Sequence, residues 1–269
     1  MKILVLGDVM GPSGRNALKK NLFEILKNNK IDFSIINGEN AADDGKGITQ
    51  EIAEEFFSLG IDVITSGNHI WDQKETKKFI QDEKRLLRPE NSLKPVSGEG
   101  VGIFNSKNNM KVAVINLMGN VFMKKSDDVF LAAKNFLDKV KLKKDADFII
   151  VDIHGEITSE KMAMGYLFDG KATIVIGTHT HVPTSDHRIL EKGTAYQTDI
   201  GMCGDYNSVI GMDKENSLKK FLKDTSAKKH FPALGQATIS GLLVSADNQT
   251  GLAEKVEPII LGGSLYERI

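Results

Sequence analysis

Seven residues able to hold metal ions, Asp8, Glu39, Asn40, Asn68, His154, His179 and His181, each follow closely on a short apolar run that reads as a β-strand. In an open α/β sheet the carboxyl ends of the strands form one rim where ligands bind, so residues distant in sequence can converge there. Carboxylates give hard oxygen donors that can bridge two cations, amides give weaker neutral oxygens, and imidazoles give nitrogen. Such a set points to hydrolysis assisted by two metal ions.

Each segment has a plainer reading. Gly7-Asp8-Val9 ends the first strand with a carboxylate that could instead cap a helix near Arg15. Asn37-Gly38-Glu39-Asn40 ends the second with a carboxylate and an amide. In Gly67-Asn68-His69 the amide oxygen can ligate while His69 stays free to donate a proton. His179 and His181 are two apart, and in extended backbone such residues face one side, so they could reach one metal or two adjacent ones. His187 and His230 read as surface residues, and Cys203 as a buried structural thiol. Gly45-Lys46-Gly47 lacks a phosphate-loop spacing, and the glycines at 98, 100 and 102 precede a strand rather than a helix, so both stretches are turns.

The elements that must position these residues follow from periodicity. Strands at 2–7, 32–37 and 62–65 alternate with helical patterns at 15–28, 49–59 and 74–81, which implies right-handed crossovers and parallel strands. Residues 101–105 and 111–117, joined by Ser106-Lys107-Asn108-Asn109, read as a hairpin. A helical stretch at 127–144 precedes a strand at 147–153, and a helix at 159–168 precedes a strand at 172–177. Shorter β segments follow at 187–190, 194–198, 237–245 and 253–261, with one helix at 214–223. No linker or fixed-period repeat divides the chain, so one domain over 1–269 with two sheets or layers is expected. Residues 202–235 carry the weakest pattern and could form a cap over the site or a subunit contact in a homo-oligomer.

Composition bounds the setting. A chain of 269 residues can bury about 70–75% of the surface its unfolded form exposes, so no crosslink is required. Its 35 Lys and Arg nearly cancel 36 Asp and Glu, which leaves no overall basic field for strong nonspecific nucleic-acid binding. A single cysteine cannot form an internal disulfide, and no apolar run approaches a membrane span, so no membrane partner and a cytoplasmic location are expected.

Taken together, Gly7-Asp8, Gly38-Glu39-Asn40, Gly67-Asn68-His69, His154 and Gly177-Thr178-His179-Thr180-His181 resemble the calcineurin-like metallophosphoesterases, and within them the bacterial YmdB-type branch. Further stretches carry the likeness, among them Thr158-Ser159-Glu160-Lys161 and Gly193-Thr194-Ala195-Tyr196 through Thr198-Asp199-Ile200-Gly201-Met202, so it spans nearly the whole chain. Two positions depart from the wider superfamily: Met10 stands where its first motif has His, and Glu39 where it has a bridging Asp. A thioether cannot replace imidazole on a hard ion, and Asn40 is the nearest group to fill the gap. Gly155 replaces a common Ala of the branch, and Asp43-Asp44 add acidity after Asn40.

The resemblance implies an α/β fold of layered β-sheets flanked by helices, with the metals at the carboxyl ends of the strands. It implies Asp8, Glu39, Asn40 and His181 around a first metal and Glu39, Asn68, His154 and His179 around a second. It favours iron, with manganese or zinc as alternatives. The implied reaction is hydrolysis of cyclic nucleotides, above all 2′,3′-cyclic ones, by a metal-bridging hydroxide with His69 as general acid. Two divalent ions less two carboxylates and one hydroxide leave about +1, suited to a phosphodiester monoanion. A phosphomonoesterase or nuclease on the same core, or a metal-binding regulatory protein acting through a partner, are the alternatives.

Overall fold

In the computed structural model, which describes residues 1–268, two sheets face one another and helices cover both outer faces. The first sheet holds β1 (Lys2–Val9), β2 (Phe33–Asn37) and β3 (Val63–Thr65) in parallel, extended beyond β1 by the antiparallel β11 (Ile239–Ala246) and β12 (Ala253–Leu261). The second runs β4 (Val101–Asn105), β5 (Lys111–Met118), β6 (Phe148–His154), β7 (Ile174–Thr178), β9 (Ala195–Gln197), β8 (Arg188–Ile189), and β5, β6, β7 and β9 are parallel. The expected layering of sheets flanked by helices is present.

Side-chain alternation in the strands builds three apolar layers. Ile3, Val5, Phe33 and Ile35 pack between the sheets against Val112, Val114, Phe148, Ile150, Ile174 and Ile176. Their neighbours Leu4, Leu6 and Ile36 face outward onto Leu18, Leu22 and Ile25 of α1 (Gly11–Asn28) and Ile52 and Phe56 of α2 (Gln50–Ser58). On the far side Ala113, Ile115, Ile149 and Val151 meet Phe136 of α4 (Val129–Lys139) and Met164 and Phe168 of α5 (Thr158–Phe168). Each fully buried aliphatic or aromatic side chain contributes about 1.5–3 kcal/mol relative to exposure.

Several boundaries differ from the sequence expectation for local reasons. The first helix begins at Gly11, four residues early, because Pro12 is accommodated in its first turn, and its cap is Met10 with no side-chain hydrogen bond, so Asp8 does not cap it. The pattern at 74–81 contracts to α3 (Thr76–Phe79). That at 127–144 ends where Val140 turns extended, at φ −122. At 202–235, Met202–Cys203 form β10, paired in parallel with Asp8 and Val9, and α6 spans Lys214–Phe221. The Cys203 thiol is buried, which pushes it up to about 12. No helix among the described residues is long and apolar enough to cross a membrane.

Candidate metal centre

All seven expected ligands gather where the carboxyl ends of β1, β2 and β3 in one sheet meet those of β6 and β7 in the other. Asp8 and His154 lie within the last residues of their strands rather than after them. Asp8 stands beside Asn37 at a register irregularity, a device that re-aims a side chain.

On one side of the cluster, His154 Nε2 lies 2.6 Å from Glu39 Oε2, 3.2 Å from Asn68 Oδ1 and 3.0 Å from His179 Nδ1. Adjacent ligands of an ion bound at about 2.0–2.2 Å stand roughly 3–3.4 Å apart. The hydrogen bonds around this side decide which of its atoms carry protons. Asp152 accepts from Asn37 Nδ2 at 3.0 Å, Thr65 Oγ1 at 2.5 Å and Thr178 Oγ1 at 2.8 Å. Thr178 Oγ1, its proton given to Asp152, accepts from His154 Nδ1 at 2.9 Å. The proton of His154 is thereby on Nδ1, and Nε2 presents a lone pair. His179 likewise directs Nε2 to Glu156 Oε2 at 3.2 Å, which leaves Nδ1 bare. Lone pairs packed this closely repel unless a cation sits among them.

The other side is built the same way. His181 Nδ1 donates to Ile210 O at 2.8 Å, so its Nε2, 3.2 Å from Asn40 Oδ1 and 4.0 Å from Asp8 Oδ1, is unprotonated. Asn40 Nδ2 donates to Gly45 O at 2.9 Å, which fixes the amide oxygen toward His181. Asp8 Oδ2 accepts the His179 N–H at 3.1 Å and Glu39 Oε1 the His69 N–H at 2.8 Å. Their remaining oxygens, Asp8 Oδ1 and Glu39 Oε2, are buried with no hydrogen-bond partner among the described residues. Asp8, Glu39 and His154 together bring three donor atoms within 4.8 Å of one another. Gly67 must lack a side chain, because a Cβ there would strike Glu39 Oε2 and His154 Nε2. Orphaned oxygens, bare nitrogens and mixed hard and borderline donors together fit resident transition metals.

Electrostatics agree. Burial pushes Asp8 and Glu39 up to about 7, a cost to be offset by positive charge. Burial also pulls His154 down to about 3, and burial with neighbouring imidazoles pulls His179 far below the ordinary range, so both are neutral donors at physiological pH.

His179 and His181 do not share one face of an extended strand. His179 and His181 adopt φ 98 and φ 65, so the backbone is not extended and the two rings part toward the two sides of the site. What holds this strained turn is a buried pair that sequence reasoning left without a role. Lys161 Nζ donates to Thr178 O at 2.7 Å and Asp199 Oδ2 at 2.8 Å, and that oxygen also accepts from Thr180 N at 3.1 Å and Thr180 Oγ1 at 2.8 Å. Lys161→Met is expected to destabilise the protein by about 3–5 kcal/mol in urea unfolding, because the Asp199 carboxylate is left buried without its counter-charge. A loss below about 1 kcal/mol would sink this role for the pair. Asp152 was also missed, although an acid inside the apolar run Phe148–His154 was itself a signal.

His69 stands beside the cluster with its side chain a quarter exposed, and Nδ1 meets Asp72 Oδ2 at 2.7 Å. Burial raises Asp72, but the hydrogen bond and charge of His69 and the charge of Lys124 outweigh it and hold the carboxyl below its ordinary value. The His69 ring is thus oriented by a carboxylate, with Nε2 left over.

Comparison with known proteins is consistent with this geometry. The family described as YmdB-like protein matches residues 4–259. A Bacillus subtilis protein named 2′,3′-cyclic-nucleotide 2′-phosphodiesterase is 44% identical, over 97% of both chains. Among solved structures, a Thermus thermophilus protein superposes with a TM-score of 0.89 at 35% identity, covering 98% of this chain and 100% of its own. A Mycoplasma pneumoniae protein described as a novel phosphatase does so with a TM-score of 0.89 at 36% identity, covering 97% and 93%.

Proposed function

The chain belongs to the YmdB-like protein family, and from that premise we propose that it is a metal-dependent phosphodiesterase of cyclic nucleotides, with 2′,3′-cyclic nucleotides the favoured substrates. The observation that carries this reading is the cluster of buried donor atoms without protons, with one carboxylate-backed imidazole, His69, beside it. Asp8, Glu39, Asn40 and His181 would hold one transition-metal ion and Glu39, Asn68, His154 and His179 a second. Such a pair, iron foremost and manganese or zinc next, supplies Lewis acidity and positive charge toward a phosphodiester.

The chain's own groups then divide the remaining work. Asp152 and Thr178 fix the tautomer of His154, Ile210 that of His181, and Glu156 that of His179. Such supports typically change metal affinity or activity by about 10–100-fold. In hydrolysis a water oxygen bonds to phosphorus, the bond from phosphorus to one ribose oxygen breaks, and that oxygen needs a proton. His69, held through Nδ1 by Asp72, would deliver it from Nε2.

Protein purified without chelator should carry about two metal equivalents per chain by elemental analysis. It should hydrolyse 2′,3′-cyclic nucleotides faster than 3′,5′-cyclic nucleotides, p-nitrophenyl phosphate or RNA. A chain that binds no metal under metal-replete conditions ends the proposal, and turnover of monoester or RNA alone replaces the diesterase reading with a phosphatase or nuclease.

A further inference from the structure

Between β5 and α4, residues 119–126 form a strap tied to the metal centre at two points. Near its start the Gly119 N–H donates to His154 O at 2.9 Å and the Asn120 N–H to Glu160 Oε1 at 2.9 Å. Near its end Lys124 Nζ donates to Asn68 O at 2.6 Å and lies 3.6 Å from Asp72 Oδ1. Asn120 Nδ2 closes the loop on itself, reaching Ser126 Oγ and Asp127 O at 3.0 Å each. Each tie thus includes an expected metal ligand, His154 in the first and Asn68 in the second, and the second also reaches Asp72, which orients His69.

Between these ties lies Phe122. The residue is 86% exposed and its backbone sits at φ 61, a left-handed conformation that is a genuine outlier for a bulky residue. An exposed phenylalanine is ordinary by itself. One held in a strained conformation, on a strap fastened to both flanks of a reaction centre, contributes nothing to the core and is unfavourable unless it is used.

We propose that Phe122 is the platform on which the nucleobase of the substrate stacks. The proposal rests on the cyclic-nucleotide reading above. In a 2′,3′-cyclic nucleotide a single ribose separates phosphorus from base, so a phosphate held at the ligands of β3 and β6 leaves its base close to the strap. Every base has a π-face, so a ring contact of this kind accepts purines and pyrimidines alike. Asn68 and His154, the two anchoring points, would set where phosphorus lies, and Phe122 would set where the base lies.

The test compares 2′,3′-cyclic AMP with ribose 2,3-cyclic phosphate, which has the same scissile ring and no base. Steady-state kinetics are measured on the parent, Phe122→Ala, Phe122→Gly and Phe122→Trp, with metal content determined on each preparation. The ratio of kcat/KM between the two substrates should fall roughly tenfold or more in Phe122→Ala and Phe122→Gly, mainly through KM, and stay within about twofold in Phe122→Trp. Glycine relieves the left-handed strain, so agreement between the two truncations assigns the effect to the ring and not to the backbone. A ratio unchanged in Phe122→Ala, whether both rates hold or fall together, overturns the proposal and leaves the diesterase reading intact. A parent that hydrolyses neither cyclic phosphate removes that reading, and the stacking proposal with it.

Discussion

Glu39→Gln is expected to strip the protein of metal and of activity together. Glu39 divides its two oxygens, Oε1 accepting the His69 N–H and Oε2 lying unpaired against His154 Nε2. A glutamine cannot serve both. If its oxygen keeps the His69 N–H, its NH2 meets the bare nitrogen of His154 and satisfies it with a proton where a cation belongs. If it turns over, two donors face each other at His69. Either way both sides of the centre are weakened, so metal content should drop from about two equivalents toward none. Metal ions contribute several kcal/mol to the transition state, and at about 1.4 kcal/mol per tenfold the rate should fall by at least about 10³. Asp8→Asn should instead empty chiefly the side shared with Asn40 and His181. Retention of metal and rate by Glu39→Gln would show that Glu39 does not bridge.

Replacing His69 should separate binding from chemistry. Its backbone N–H, which holds Glu39, survives in His69→Ala or His69→Gln, so both metals should remain. Hydrolysis of a cyclic nucleotide should fall by about 10²–10⁴-fold, the usual contribution of a positioned general acid. The loss should shrink on bis-p-nitrophenyl phosphate, because p-nitrophenolate departs with little protonation whereas a ribose alkoxide needs it. Metal content and both rates belong on one preparation. Equal losses on the two substrates would make His69 a phosphate-positioning residue, and loss of metal would make it a ligand.

The convergence of the seven candidate residues was legible because each sits where an apolar run meets a polar stretch, and in parallel strands those points share one rim. The scaffolding around it was less so. Thr178, Lys161 and Asp199 lay inside stretches that carried the family likeness, yet a threonine, a lysine and an aspartate in mixed sequence look like surface residues. Their roles exist only once β7, α5 and the turn before β10 are packed. Asp72 and Lys124 come from separate loops that no periodicity brings together. Two-residue β10 is too short for any pattern, and its pairing with Asp8 depends on contacts nearly two hundred positions away. The geometry of the histidine pair is not legible in the sequence because strand alternation stops at the end of β7, where φ turns positive.

The candidate metal centre lies on a seam, with Asp8, Glu39, Asn40 and Asn68 brought by one sheet and His154, His179 and His181 by the other. Neither sheet holds all four donors of either side. A slip of one residue between β6 and β7 would turn His154 away from its partners, and a rotation of one sheet on the other would divide the carboxylates from the imidazoles. Catalytic competence therefore reports the register of the whole sandwich. A half-folded chain or a fragment carrying one sheet has no diminished version of the activity to fall back on, and sequence drift in the layers is tolerated only so far as the two rims still meet.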